Sequence, residues 1–233
     1  MSERPILNRR RMIGALGLTG AGITLGVGAS PASAAEPWPS TGDAALNRLI
    51  AGNIRFATGQ AHHSGQDVDA VHASAQGQHP FVIALGCSDS RVSPELLFDE
   101  GVGAVFDQRV AGGIVDSAIL GSIEFAVGEF APPLLLVLGH ERCGAVSATV
   151  KVVESGGRGP EHVQRIVEAI RPAVLAVRDQ PGDLIENAVR ENTRMVTEQL
   201  VKRSRIIRRA VRAGSLDVRG ARYDLDTGLV EVL

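Results

Sequence analysis

Two uninterrupted apolar runs dominate the pattern of the chain: Phe81-Val82-Ile83-Ala84-Leu85-Gly86 and Leu134-Leu135-Leu136-Val137-Leu138-Gly139. Runs of this length without polar alternation predict strands buried on both faces, as in a parallel sheet. Ala104-Val105-Phe106-Asp107-Gln108-Arg109 predicts a further strand, broken by Gly112 and Gly113. Residues 218–233 alternate and predict a strand pair turning at Asp226-Thr227-Gly228. Leu46, Leu49, Ile50, Ile54 and Phe56 recur at helical spacing, with Asp43 as the expected cap and Gly59 as the stop. Further helices are expected over 94–98, 116–127 and 161–177. The longest is expected to run unbroken from Asp183 to Ala213 and end at Gly214. The polar stretch 60–78, with His62, His63 and His72, lacks cysteines and regular ligand spacing, and reads as a solvated loop and helix. No internal repeat and no long linker divides residues 35–233. Strands alternating with helices predict one α/β domain, a mostly parallel β-sheet flanked by helices.

The N-terminus departs from this pattern. Asn8-Arg9-Arg10-Arg11-Met12-Ile13 is a cationic cluster, residues 12–29 are uncharged and glycine-rich, and Ala32-Ser33-Ala34 is a small-x-small cleavage signal. This is the anatomy of a signal peptide, and the paired arginines make it a twin-arginine type. A membrane-spanning helix is the competing reading, but glycine on this scale weakens both helix and partitioning. Residues 1–34 are therefore expected to be removed, leaving no stable membrane anchor and an exported protein, periplasmic or extracellular. Residues 35–233 are expected to form the domain, with 35–42 as an extended arm around Trp38.

Composition is that of an ordinary globular protein, with 44% hydrophobic and 21% charged residues. Only 3% is aromatic, so the core rests on Leu, Val, Ile and Ala. The formal net charge is −2, and loss of 1–34 removes Arg4, Arg9, Arg10 and Arg11 against Glu3. A mildly acidic chain without a basic stripe is a poor nucleic-acid binder.

The candidate chemistry lies where the two apolar runs end. Cys87-Ser88-Asp89-Ser90-Arg91 follows the first, and His140-Glu141-Arg142-Cys143 closes the second; Cys87 and Cys143 are the only cysteines. In open α/β sheets, ligands bind beyond the carboxyl ends of the strands. An exported protein with two cysteines ordinarily suggests a disulfide. Here each cysteine has a metal-type neighbour instead, Asp89 or His140, and two sulfurs with an imidazole suit zinc. His140 and Cys143, three apart, are expected to share one side of a helical turn. Asp89 has two possible positions, on the metal or paired with Arg91. In the second, water completes the metal's tetrahedron and is acidified to a pKa of about 7. A cysteine-phosphatase loop would need arginine six places after the nucleophile, where Ser93 stands. A non-catalytic structural zinc site and a plain apolar core remain as alternatives; the second leaves Asp89, Arg91 and His140 without partners.

Cys87-Ser88-Asp89-Ser90-Arg91 together with Gly139-His140-x-x-Cys143-Gly144 resembles the paired signatures of the β-class carbonic anhydrases. The resemblance extends from Leu49-Ile50-Ala51-Gly52-Asn53 to Tyr223-Asp224-Leu225-Asp226-Thr227-Gly228. It implies one Zn2+ per chain on Cys87, His140 and Cys143, with Asp89 as a switchable fourth ligand paired with Arg91. The implied reaction is reversible hydration of carbon dioxide to bicarbonate and a proton by zinc-bound hydroxide. Some relatives on this scaffold hydrolyse carbonyl sulfide or carbon disulfide instead. A homodimer or dimer of dimers is implied, with substrate pockets at the subunit interface lined by Gln78, Phe106, Phe125 and Gly144. Phe125 stands where many plant-like members carry tyrosine. Some bacterial members close the zinc with the aspartate when bicarbonate fills a second pocket built on a tryptophan and an arginine. Arg109 matches that arginine, but Ala84 stands at the tryptophan position, so Asp89 is expected to rest on Arg91.

Overall fold

The two apolar runs lie side by side at the centre of a five-stranded sheet. β1 (Val82–Gly86) pairs in parallel with β3 (Leu134–His140) on one side and with β2 (Val105–Arg109) on the other. β4 (Asp217–Tyr223) adds in parallel to β3, and β5 (Val230–Val232) returns antiparallel beside β4, giving the order β2-β1-β3-β4-β5. The computed structural model describes residues 38–233. The expected signal segment 1–34 and residues 35–37 of the expected arm lie outside the described residues.

Continuous apolarity has its reason in the two faces of this sheet. Successive strand residues point to opposite sides. Ala84, Leu134, Leu136 and Leu138 join a cluster with Ala45 and Leu49 of α1 (Gly42–Ala57). Ile83, Leu85, Leu135 and Val137 face the other way, against α4 (Ser117–Glu129), α7 (Leu184–Arg203) and α8 (Arg205–Arg212). Both faces are dry, so neither run alternates. The other helices are α2 (Val68–Ser74), α3 (Pro94–Leu97), α5 (Gly144–Ser155) and α6 (Val163–Val177). Among the described residues, no helix is long and apolar enough to cross a membrane.

Two local expectations are corrected. The cap of α1 is Thr41, whose hydroxyl accepts from the Ala44 N–H at 3.2 Å; Asp43 lies inside the first turn and reaches Arg219 at 3.1 Å instead. The helix expected over 183–213 is two helices, bent at Ser204 (φ −98°, ψ 126°). Ser204 is fully buried and donates to the Glu124 carboxylate of α4 at 2.6 Å while accepting from the Ile207 N–H at 3.1 Å. That side chain ends one helix and caps the next. A spacing pattern does not register it, because the apolar period continues through the bend.

The stretches 49–53 and 223–228 meet in space. Asn53, 1% exposed, donates to the carbonyls of Leu97 at 3.1 Å and Gly228 at 2.9 Å, and accepts from the Val230 N–H at 2.7 Å. Next to it, a Cβ on Gly52 would lie 1.8 Å from the Phe98 carbonyl oxygen, so only glycine lets α1 approach that closely. Asn53→Ala leaves one buried and two half-buried backbone groups without their partner, at about 1–3 kcal/mol each, less whatever water reaches them. We expect a loss of about 3 kcal/mol, read as a lower urea midpoint at unchanged slope; an unchanged midpoint would mean water replaces all three bonds.

Candidate metal centre

β1, β2 and β3 run parallel, so their carboxyl ends converge on one edge of the sheet, where Gly86 lies in register with Arg109 on one side and Leu138 on the other. Cys87 is the first residue past β1 and His140 the last of β3. Cys143 is the N-cap of α5. Glu141 and Arg142 form a turn, with Arg142 in the left-handed region at φ +51°. The expected shared helical turn is therefore a strand end, a sharp turn and a helix start. Arg142 holds its strained backbone while its guanidinium bonds both carboxylate oxygens of Asp226, at 2.9 and 2.6 Å.

The Sγ atoms of Cys87 and Cys143 and a ring nitrogen of His140 lie within 4.8 Å of one another, all three residues buried. The sulfurs are 4.0 Å apart and not joined by a disulfide. Two thiolates on one tetrahedral zinc, at about 2.3 Å from the metal, stand about 3.8 Å apart. His140 Nδ1 lies 2.9 Å from the Glu141 carbonyl, which only accepts, so Nδ1 carries the proton. The lone pair is left on Nε2, a buried atom with no hydrogen-bond partner. An orphaned imidazole nitrogen facing two sulfurs is the geometry of a metal ligand set, and these three residues fit zinc.

The bond from the Cys143 S–H holds the Cys87 pKa down to about 4 against burial, aided by the Gly112 N–H. Cys143 is pushed up, by giving that bond, by burial and by the charge on Cys87.

Asp89 faces Arg91 through two parallel bonds, Nε to Oδ1 at 2.9 Å and a second guanidinium nitrogen to Oδ2 at 2.8 Å. The Arg91 backbone N–H adds a third at 3.0 Å. The guanidinium holds the Asp89 carboxyl well below the usual carboxylate range. Asp89 Oδ2 also stands 3.9 Å from His140 Nε2, at the rim of the buried trio.

Arg109 does something that sequence reasoning missed. Its guanidinium donates to the carbonyl of Cys87 at 3.1 Å and to that of Asp89 at 2.5 Å, clamping the loop that carries both side chains. Its position at the end of a strand in register with Gly86 was the available signal.

The expected pocket residues are dispersed. Gln78 is exposed and precedes β1, so the length of that strand, roughly 16 Å, separates it from Cys87. Phe106, on β2, and Phe125, 57% exposed on α4, pack together with Phe130 at centroid distances of 5.7 to 6.4 Å. Gly144 opens α5 beside Cys143, and a Cβ there would meet nothing within 4 Å, so no steric need selects glycine. Trp38 stacks on Phe81 at 5.2 Å, with Arg48 over its ring at 4.7 Å. Ala84 is buried in the central strand.

The profile of the carbonic anhydrase family matches residues 82–230, which carry every one of the ligand-type residues above. "Carbonic anhydrase 2" of Mycobacterium tuberculosis is 39% identical over 185 residues, covering 79% of this chain and 89% of that protein. A carbonic anhydrase of Mycolicibacterium smegmatis is 38% identical over 189 residues, covering 81% of this chain and 92% of that protein. Among solved structures, the β-carbonic anhydrase CcaA superposes with a TM-score of 0.62 at 28% identity, covering 80% of this chain and 86% of that one. The resemblance carried by two short signatures thus extends over about four fifths of the chain, 79–81% in these three comparisons, and the chain belongs to the β-class carbonic anhydrases.

Proposed function

We propose that this chain catalyses the reversible hydration of carbon dioxide to bicarbonate and a proton at one zinc ion held by Cys87, His140 and Cys143. The single observation that carries the reading is the buried, hydrogen-bond-free Nε2 of His140 facing two sulfurs beside the Asp89–Arg91 pair. Zinc there supplies Lewis acidity, making a water a usable nucleophile near neutral pH. Arg91 keeps Asp89 ionised and fixed. With the metal bound, Asp89, held by Arg91 at the rim of the trio, would be the hydrogen-bond acceptor that orients the nucleophile towards the substrate. Arg109 holds the Cys87 and Asp89 backbones in one frame, so the metal ligand and the acceptor keep their spacing. Oxygen-isotope exchange between carbon dioxide and water tests the reading. Exchange no faster than buffer would defeat it, and turnover of carbonyl sulfide or carbon disulfide alone would redirect it.

A second copy of the chain completes the pocket in this reading. β2, which carries Phe106, is an edge strand, and Gln78 and Phe125 are exposed, so a partner subunit can cover them. Carbon dioxide and bicarbonate are the small-molecule partners, and a homodimer or dimer of dimers is the assembly.

Export by the twin-arginine route belongs to the same proposal, supported by the cationic cluster at 9–11 and the Ala32-Ser33-Ala34 site. Replacing Arg9, Arg10 and Arg11 by lysine is expected to leave uncleaved precursor in the cytoplasm. The wild-type mature terminus is expected at Ala35; unchanged export of the lysine variant would reject the route.

A further inference from the structure

The sulfur of Cys87 is held by two successive hydrogen bonds that begin on α7, 105 residues along the chain. The Gly112 N–H donates to Cys87 Sγ at 3.3 Å, a buried contact. The carbonyl of the same glycine accepts from the side-chain amide of Asn192, on α7, at 3.0 Å. Asn192 is 6% exposed and lines the small cavity behind the trio, together with Gly112, Gly139 and Thr193. Gly112 has φ +76°, and a Cβ there would lie 2.6 Å from Ile170 Cδ1 and 3.2 Å from Ala145 Cβ. The left-handed backbone and the close approach of α5 and α6 make any side chain strained at this position.

We infer that Asn192 is a positioning residue for the metal centre: it pins the turn 111–113 so that the Gly112 N–H donates to the Cys87 thiolate. This rests on the reading that Cys87 is a metal ligand, and it adds the residue that tunes it. A backbone N–H on a thiolate takes up part of the sulfur's charge and fixes the direction of its lone pairs. Without Asn192 the turn has no side-chain anchor at Gly112. The carbonyl it leaves is buried, so the turn shifts to find another donor, and the sulfur loses its bond.

Cobalt(II) in place of zinc makes the bond visible, because sulfur-to-cobalt charge transfer absorbs in the near ultraviolet. Asn192→Asp is nearly the same size, but its carboxylate cannot donate to the Gly112 carbonyl; Asn192→Ala removes the group altogether. Both variants of the full mature chain are expected to move the band to longer wavelength and weaken cobalt binding about 10- to 100-fold, as measured by competition with a chromophoric chelator. Val196→Ala, on the same helix in the core beneath the sheet, controls for a loosened α7 and is expected to leave the band in place. A wild-type band and affinity in both Asn192 variants would overturn the inference. So would an equal shift in Val196→Ala, or loss of the fold in both Asn192 variants, which would make Asn192 a residue of the core only. Absence of any charge-transfer band in the wild-type chain would instead overturn the metal reading beneath it.

Discussion

His140→Ala is expected to abolish both zinc content and carbon dioxide hydration. His140 is 1% exposed, its Nδ1 proton is committed to the Glu141 carbonyl, and its Nε2 has nothing else to bond. Removing a residue that merely orients a ligand lowers metal affinity about 10- to 100-fold, and removing the ligand itself does more. Two thiolates alone leave the metal two open positions and a charge balance suited to softer ions. Elemental analysis of the purified variant should find zinc well below the approximately one ion per chain expected of a mononuclear site in the wild type. Isotope exchange should fall to the buffer rate. Cys87→Ser and Cys143→Ser should behave alike. A His140→Ala protein that keeps stoichiometric zinc and exchanges oxygen normally would place the metal elsewhere.

Asp89→Asn should separate chemistry from metal binding. Asp89 reaches no closer than 3.9 Å to His140 Nε2 and gives both oxygens to Arg91, so the amide should leave zinc in place. It cannot hold the same ionised, two-bonded acceptor. A positioned proton acceptor contributes about 10²- to 10⁴-fold, and we expect kcat to fall by about that factor with zinc unchanged. Arg91→Ala frees the carboxylate to swing onto the metal and should lower kcat comparably. The sign of the pH effect follows from the direction of the shift. The folded pKa of Asp89 is lowered by Arg91. The pair's stabilising contribution is thus present above the unfolded value of about 3.9 and is lost as pH falls through the lower folded one. It is small, because Arg91 is 52% exposed and solvent screens it. Any acid limb of wild-type activity between about pH 5 and 8 therefore comes from another group. Loss of zinc from Asp89→Asn would instead make Asp89 a resident ligand, and full activity would make the pair ornamental to the chemistry.

The legible parts of this molecule were those decided by neighbours in sequence. The runs 81–86 and 134–139 announced the two central strands because both faces of β1 and β3 are covered, by α1 on one side and by α4 and α7 on the other. The cysteines and His140 were legible because strands of a parallel sheet all point their carboxyl ends the same way. The β4–β5 turn was legible from the spacing of its polar residues. The bend at Ser204 was not, since it depends on Glu124, 80 residues earlier on α4. The work of Gly112 and Gly113 was equally hidden: as letters they break a strand, and in space one of them donates to a metal-type sulfur.

Sequence by itself therefore determined the fold class, the family and the residues of a candidate donor set, since apolar continuity and ligand types are properties of short stretches. Tertiary structure alone decided how that set is held. It bent the chain at Arg142 so that Cys143 caps a helix facing His140, put Arg109 on the backbone of the 87–89 loop, and brought Asn192 to Gly112. Each of these is a contact between residues whose own neighbours in sequence say nothing of the partner. A buried carbonyl or N–H accepts any donor or acceptor of the right kind within reach, and only the packing of helices on the sheet settles which one arrives.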